Sequence, residues 1–327
     1  MKKIGIVIFS LIVGVACSNQ NFSLPKQNNN YQQTPQFNNK VDILFMVDDS
    51  SNMLKYQQSL SAQMNSMITT LNALGMDYHI AVTSSSVGSS FTGGKFMGSP
   101  KYLTNGTPNV AGVLTARLQT GQVGSNLEKG LESIKVALLN PSESAGFIRD
   151  DALLAVIALS NEDDYSAGSV QSYVDFFNSI KHPFPSGVRS WVFNFLGITV
   201  LSSNCTTQDN GVTEYVEVGS RYIGLVDYTE GVKESICKAD WSNVVTNVKV
   251  RINQLMTDFY LNRRPKVSTI VVTNNGRAVV NNATNGWTYE ERTDESGQVR
   301  YFIRFHGTAM PTLYDVIDIK FDPASAT

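Results

Sequence analysis

The stretch that most constrains this chain runs from Val41 to Met53: Val-Asp-Ile-Leu-Phe-Met-Val-Asp-Asp-Ser-Ser-Asn-Met. Its unbroken apolar run from Ile43 to Val47 has the pattern of a strand buried on both faces, and such strands belong to parallel sheets covered by helices. Asp48 closes the run, and Ser50 and Asn52 follow at two-residue steps before an amphipathic segment. Oxygen-bearing side chains thus gather just past the carboxyl end of a buried strand, where open α/β sheets bind ligands. Ser, Asp and Asn in front of a helix are also ordinary N-caps. This stretch alone leaves a cap and a cation site both open.

The segments that follow repeat the pattern. Met53, Tyr56, Leu60, Met64, Met67, Leu71 and Leu74 make one apolar helix face, which Gly75 ends. Tyr78 to Thr83 reads as a strand, Ser84 to Thr107 as a hairpin or surface loop. A helix beginning near Gly124-Ser125 carries Leu127, Leu131, Ile134 and Leu138. Ala152 to Leu159 reads as a central strand and runs into Ser160-Asn161-Glu162-Asp163-Asp164. Ala167 to Lys181 predicts a helix, Trp191 to Ile198 a buried strand, and a final helix carries residues from Trp241 to Phe259. The alternation predicts an α/β fold, a doubly wound, mostly parallel sheet. Beyond Arg263-Arg264-Pro265 the apolar period becomes two, with turns at Asn274-Asn275-Gly276 and Asn285-Gly286. That predicts a small C-terminal β module of four to six strands, with Trp287 and Tyr289 in its core.

Asp48-x-Ser50 in its strand–loop–helix setting resembles the metal-ion-dependent adhesion site (MIDAS) of von Willebrand factor A (VWA) domains, whose first motif is Asp-x-Ser-x-Ser. Asn52 stands where the second serine is usual. Ser125, followed by Gly130-Leu131, stands for the family's threonine ahead of the second helix, and Asn161 for an aspartate that commonly follows Thr or Ser. The resemblance extends over about Val41 to Leu261. It implies a metal site of Asp48, Ser50, Asn52, Ser125 and Asn161, with Glu162 and Asp163 placed to restore the charge that Asn161 lacks. Such oxygen donors suit Mg2+ or Mn2+. Neutral Asn52 and Asn161 imply weak binding, and the family's mechanism leaves one coordination position for a carboxylate of a partner protein. Ser235-Ile236-Cys237 followed by Asp240-Trp241 is similar to a segment of exported bacterial proteins of this type.

The amino terminus carries an address. Lys2 and Lys3, an apolar run from Ile4 to Val13, and Gly14-Val15-Ala16-Cys17 form a targeting segment too short to span a membrane. It resembles a bacterial lipoprotein signal in which Cys17 becomes the lipidated first residue, with Ser18 an outer-membrane sorting residue; a cleaved ordinary signal is the alternative. More than half of Ser18 to Lys40 is Asn or Gln, which predicts a flexible tether that holds the fold on the order of 25 Å from the lipid. The resulting organisation is 1–17 signal, 18–40 tether, 41–262 VWA-like domain and 263–327 β module. Cys205 and Cys237, the cysteines left in an exported chain, predict one disulfide.

A net charge of −2 over 327 residues leaves no electrostatic footprint for nucleic acid. There is no Gly-x-Ser-x-Gly elbow and no phosphate-binding glycine loop, and His79, His182 and His306 lie far apart in sequence. The chain thus reads as a non-enzymatic, lipid-anchored adhesion or binding protein of the cell envelope, touching the membrane only through its anchor. The alternative is a structural envelope lipoprotein with a degenerate metal site, which makes its contacts through the β module.

Overall fold

The computed structural model describes residues 27–32, 39–88, 90–125, 127–184, 189–201, 208–209, 212–213, 216–238, 258–293, 297–311 and 315–324. It opens with a strand inside the expected tether, β1 (Gln27–Gln32). The predicted strand follows as β2 (Lys40–Val47), buried from Val41 onward. The first amphipathic stretch forms two helices, α1 (Leu54–Ala62) and α2 (Met64–Ala73), which meet at Gln63. The apolar stripe through Tyr56, Leu60, Met64, Met67 and Leu71 stays buried across the break. Then come β3 (Asp77–Ser84) and, within the expected loop, β4 (Leu103–Thr104), antiparallel to β3. Helix α3 (Val110–Leu118) was not foreseen, although it buries Leu114 and Leu118.

Helix α4 (Gly130–Leu139) starts later than Gly124-Ser125, and Leu127, expected on its inner face, is exposed. A short α5 (Pro141–Ser144) leads into β5 (Leu153–Ser160), buried throughout. α6 (Val170–Ile180) and β6 (Trp191–Gly197) match expectation, and the Ser169 hydroxyl caps α6 by accepting from Ser172 N–H. A two-residue pair, β7 (Gln208–Asp209) and β8 (Val212–Thr213), precedes α7 (Ser220–Thr229) and β9 (Lys233–Ser235).

The sheet order is β4-β3-β2-β5-β6-β9, parallel throughout except at β4. Successive residues of β2 face opposite sides of the sheet. Ile43, Phe45 and Val47 join one core with Leu60, Met64 and Leu114, while Leu44 and Met46 join a second with Ile134, Phe177 and Tyr222. Helices therefore cover both faces, as the double-sided apolar run of β2 demands. β3 follows β2 on one side and β5 lies on the other, so the order reverses at β2, and the crevice above that switch point is where Asp48 lies.

The C-terminal strands are β10 (Asp258–Leu261), β11 (Val271–Asn274), β12 (Arg277–Val279), β13 (Trp287–Thr293), β14 (Val299–Phe305) and β15 (Val316–Phe321). They form two antiparallel sheets, β1-β15-β11-β12 and β10-β14-β13. Trp287, Phe305, Ile317, Ile319 and Phe321 fill the core between them, Tyr289 packs at its edge, and the Trp287 indole donates to Val279 O at 2.8 Å. Phe259 sits in β10 opposite Ile303 rather than on the final helix, because Phe259 and Leu261 alternate inward as strand residues do. The remainder of that expected helix, Trp241 to Leu255, lies outside the described residues.

β1 corrects the tether. All six of its residues pair antiparallel with β15. An edge strand is held by backbone groups that Asn and Gln carry like any residue, so low apolar content does not prevent pairing. Glu230, just beyond the carboxyl end of α7, pairs with Arg292 of β13 at 3.1 Å. Helices in this architecture run back from the carboxyl ends of the strands, so the β module contacts the α/β unit at the end opposite Asp48. Cys237 is disulfide-bonded; its expected partner Cys205, and Cys17, lie outside the described residues. No described helix is long and apolar enough to cross a membrane.

Candidate metal centre

Asp48 is still held in the sheet, its N–H donating to Leu159 O of β5 at 2.9 Å. Its side chain is fully buried. Oδ1 accepts from Ser50 N–H at 2.8 Å and Oδ2 from the Ser160 hydroxyl at 2.7 Å. Burial holds this carboxyl above its usual pKa despite those donors. From α1, Gln57 Nε2 donates to Asp48 O at 2.8 Å and to Gly121 O at 2.8 Å, which locks two site loops together.

Asp49 Oδ1 accepts from the hydroxyls of Ser85 and Ser86 at 3.0 and 2.7 Å, just past the end of β3. Its carbonyl accepts from Gly124 N–H at 2.8 Å. A Cβ at Gly124 would lie 2.6 Å from both Asp49 Oδ1 and Ser86 Oγ, so only glycine lets the 121–125 loop come this close. These bonds hold residues 121–125 over the sheet, and residues 127–129 follow outside any helix, so α4 begins only at Gly130.

That loop delivers Glu128. Its side chain is fully buried, and neither carboxylate oxygen has a hydrogen-bond partner. The Ser85 hydroxyl favours the charged form without standing in hydrogen-bonding geometry. Burial, then the charges of Asp48, Asp49 and Glu162, push the Glu128 pKa up to about 9. Ligand oxygens of Asp48, Asp49 and Glu128 all lie within 4.8 Å of one another. The Ser50 hydroxyl, also buried, has no partner either. A buried carboxylate without donors or a cation is expensive, and a divalent cation would neutralise this cluster and occupy its orphaned oxygens.

Of the residues expected from sequence, Asp48 and Ser50 are at the centre. Asn161 is buried at the head of β5, where its carbonyl accepts from Glu217 N–H at 3.0 Å. Glu162 is buried, and its pKa is pushed up to about 7 by burial and then by Asp48. Asn52 is half-buried in the turn before α1. Ser125 is half-buried, with its N–H on Ser86 Oγ at 2.7 Å and its hydroxyl accepting from Leu127 N–H at 3.0 Å.

The acidic run after β5 divides. Asp163 Oδ1 accepts from Arg221 N–H at 2.9 Å, at the start of α7, and Asp164 Oδ1 accepts from Leu131 N–H at 3.0 Å, at the start of α4. Both acids serve helix N-termini, where orphan donors and the helix dipole favour them. Among the described residues, ligand oxygens of Asp49 and Glu128 gather with those of Asp48, and Glu162 stands near enough for the Asp48 charge to raise its pKa. A signal for Glu128 was present: it continues the buried Leu131, Ile134, Leu138 stripe three residues upstream.

No family model matches the chain, and no curated protein matches it. Among solved structures it is similar to proximal thread matrix protein 1 of the mussel byssus, at 13% identity over 68% of this chain and 50% of that one, TM-score 0.41. A further structure of that mussel protein has zinc in its MIDAS motif. It is also similar to the pilus adhesin SpaC of Lactobacillus rhamnosus GG (11%, covering 86% and 39%, TM-score 0.42). The third is VWA2, an ArnB paralog of Sulfolobus acidocaldarius (11%, covering 94% and 65%, TM-score 0.37). The chain spans half or less of the first two and under two thirds of the third, and likenesses this distant carry no function across. The chain's own topology, doubly wound and mostly parallel with Asp48 and Ser50 above the carboxyl end of a central strand, is the one its resemblance to VWA domains implies.

Proposed function

We propose that the chain is an exported, lipid-anchored binding protein of adhesion type that engages a partner protein through a divalent cation. Asp48, Ser50, Asp49 and Glu128 hold the ion, with Glu128 supplying the carboxylate that Asn161 lacks. The observation that carries this reading is Glu128: a fully buried carboxyl group, unpartnered at both oxygens, facing two aspartates. The all-oxygen donor set favours Mg2+ or Mn2+. A bound ion would supply positive charge toward a carboxylate of the partner, while the residues themselves orient the donors and keep them dry. Membrane attachment is through lipid on Cys17 alone, at the outer membrane, with no part for nucleic acid.

Calorimetric titration of the full chain with magnesium and manganese should show saturable binding that Asp48→Ala abolishes. No heat at millimolar metal would leave the structural, metal-free lipoprotein as the better account. For the anchor, Cys17→Ser should move the protein from the membrane fraction to the soluble one; unchanged fractionation would sink the lipoprotein reading.

A further inference from the structure

We infer that the face around the carboxylates is built for a protein segment whose acidic residue is flanked by bulky apolar side chains. The inference rests on the metal reading above and adds the kind of sequence that reading leaves open. Six apolar or aromatic residues are exposed at this end of the sheet: Leu54, Val123 (87% exposed), Leu127 (56%), Tyr165, Val200 and Leu201. Exposed apolar residues scattered singly need no explanation, whereas a group gathered around a polar pocket does.

Each lies next to a residue of the site or to a segment bonded to it. Val123 adjoins Gly124, whose N–H is bound to Asp49 O at 2.8 Å. Leu127 precedes Glu128 and is fixed by the Ser125 hydroxyl at 3.0 Å. Tyr165 donates its N–H to Glu128 O at 2.7 Å. Leu54 opens α1 directly after the Asp48 loop. Val200 and Leu201 follow Ile198, whose carbonyl accepts from Gly219 N–H at 3.0 Å, two residues beyond the Glu217 bound to Asn161 O. The site these residues adjoin is acidic and holds its orphaned oxygens below the surface. A cation seated there presents positive charge at the centre of an apolar rim. The complement is a carboxylate set within apolar side chains; a carboxylate recognised by the ion alone would need no such rim.

The test uses the full chain in millimolar manganese and two fluorescent pentapeptides with a central aspartate, one flanked by glycines and one by leucine and phenylalanine. Fluorescence anisotropy should show the apolar-flanked peptide binding about ten-fold more tightly, with both signals lost on chelation. The surface double variant Val123→Ser/Leu127→Ser should bring the apolar peptide to the level of the glycine peptide and leave manganese affinity by calorimetry unchanged. Manganese binding with equal affinity for the two peptides, or discrimination that survives in the double variant, overturns this inference alone. Absence of manganese binding overturns it together with the metal reading. Chelator-insensitive retention on phosphatidylcholine vesicles would identify the rim as a lipid contact and overturn it too.

Discussion

At Glu128 a carboxyl group is fully buried, with no partner in hydrogen-bonding geometry at either oxygen. The unfolded chain releases its proton near the ordinary value of 4.5, whereas the metal-free fold keeps it until about 9. Between those values the folded protein binds more protons than the unfolded one, so its stability falls as the pH rises. Glu162, pushed up to about 7, adds to the fall over the lower part of the window. Thermal unfolding in chelator should therefore show a midpoint that declines from pH 5 to pH 9. Glu128→Gln should flatten the part above pH 7, and excess magnesium should offset the decline because it favours the ionised site. A midpoint that climbs over this range in chelator would contradict the burial of Glu128. Asp48 and Ser50 were legible because their spacing follows a recognisable strand. Glu128 was not, because it falls between Ser125 and Gly130 at a position to which the resembled motif gives no ligand, and only its place on a helical stripe marks it.

Among the elements, the loop through Gly124 carries the site's precision. Gly124→Ala places a methyl group 2.6 Å from Asp49 Oδ1 and Ser86 Oγ, so the loop must lift and Glu128 with it. Overpacking of this kind costs about 1–3 kcal/mol. Manganese affinity should drop about ten-fold or more by calorimetry; an unchanged affinity would mean that Glu128 is not a ligand. The buried strands were read correctly because runs such as 153–160 admit little else. Helices α3 and α7 were missed for one shared reason: each carries an internal glycine, Gly112 or Gly224, which imitates a breaker in sequence. Tertiary packing of Leu114 and Leu118, and of Tyr222 and Leu225, outweighs that local penalty. The α4 boundary was misplaced because Ser125 has the chemistry of a cap and uses it on Leu127, in a turn rather than a helix.

Across the whole molecule, β1 joins the amino-terminal segment to the last strand, so the β module is built from both ends of the chain. Because that pairing rests on backbone hydrogen bonds, proline is the specific test. Asn29→Pro with Asn30→Pro removes a donor whichever residue faces β15. Amide exchange at 27–32 and 316–321 should be slow in the wild-type protein and fast along the β15 edge in the variant; equal exchange in both would show that β1 is not docked. Sequence did not reveal this strand because an Asn/Gln-rich run carries no apolar signal for an edge position. The placement of β2 has a mechanical consequence. Asp48 follows β2 and Lys40 begins it, so on the proposed function a pull from an anchor at Cys17 would reach that strand only through β1 and its pairing with β15. β3 and β5 brace β2 on both sides, whereas β1 has a partner on one side alone. The edge pairing of β1 on β15 is then the element such a pull would peel first, ahead of the braced sheet that carries Asp48.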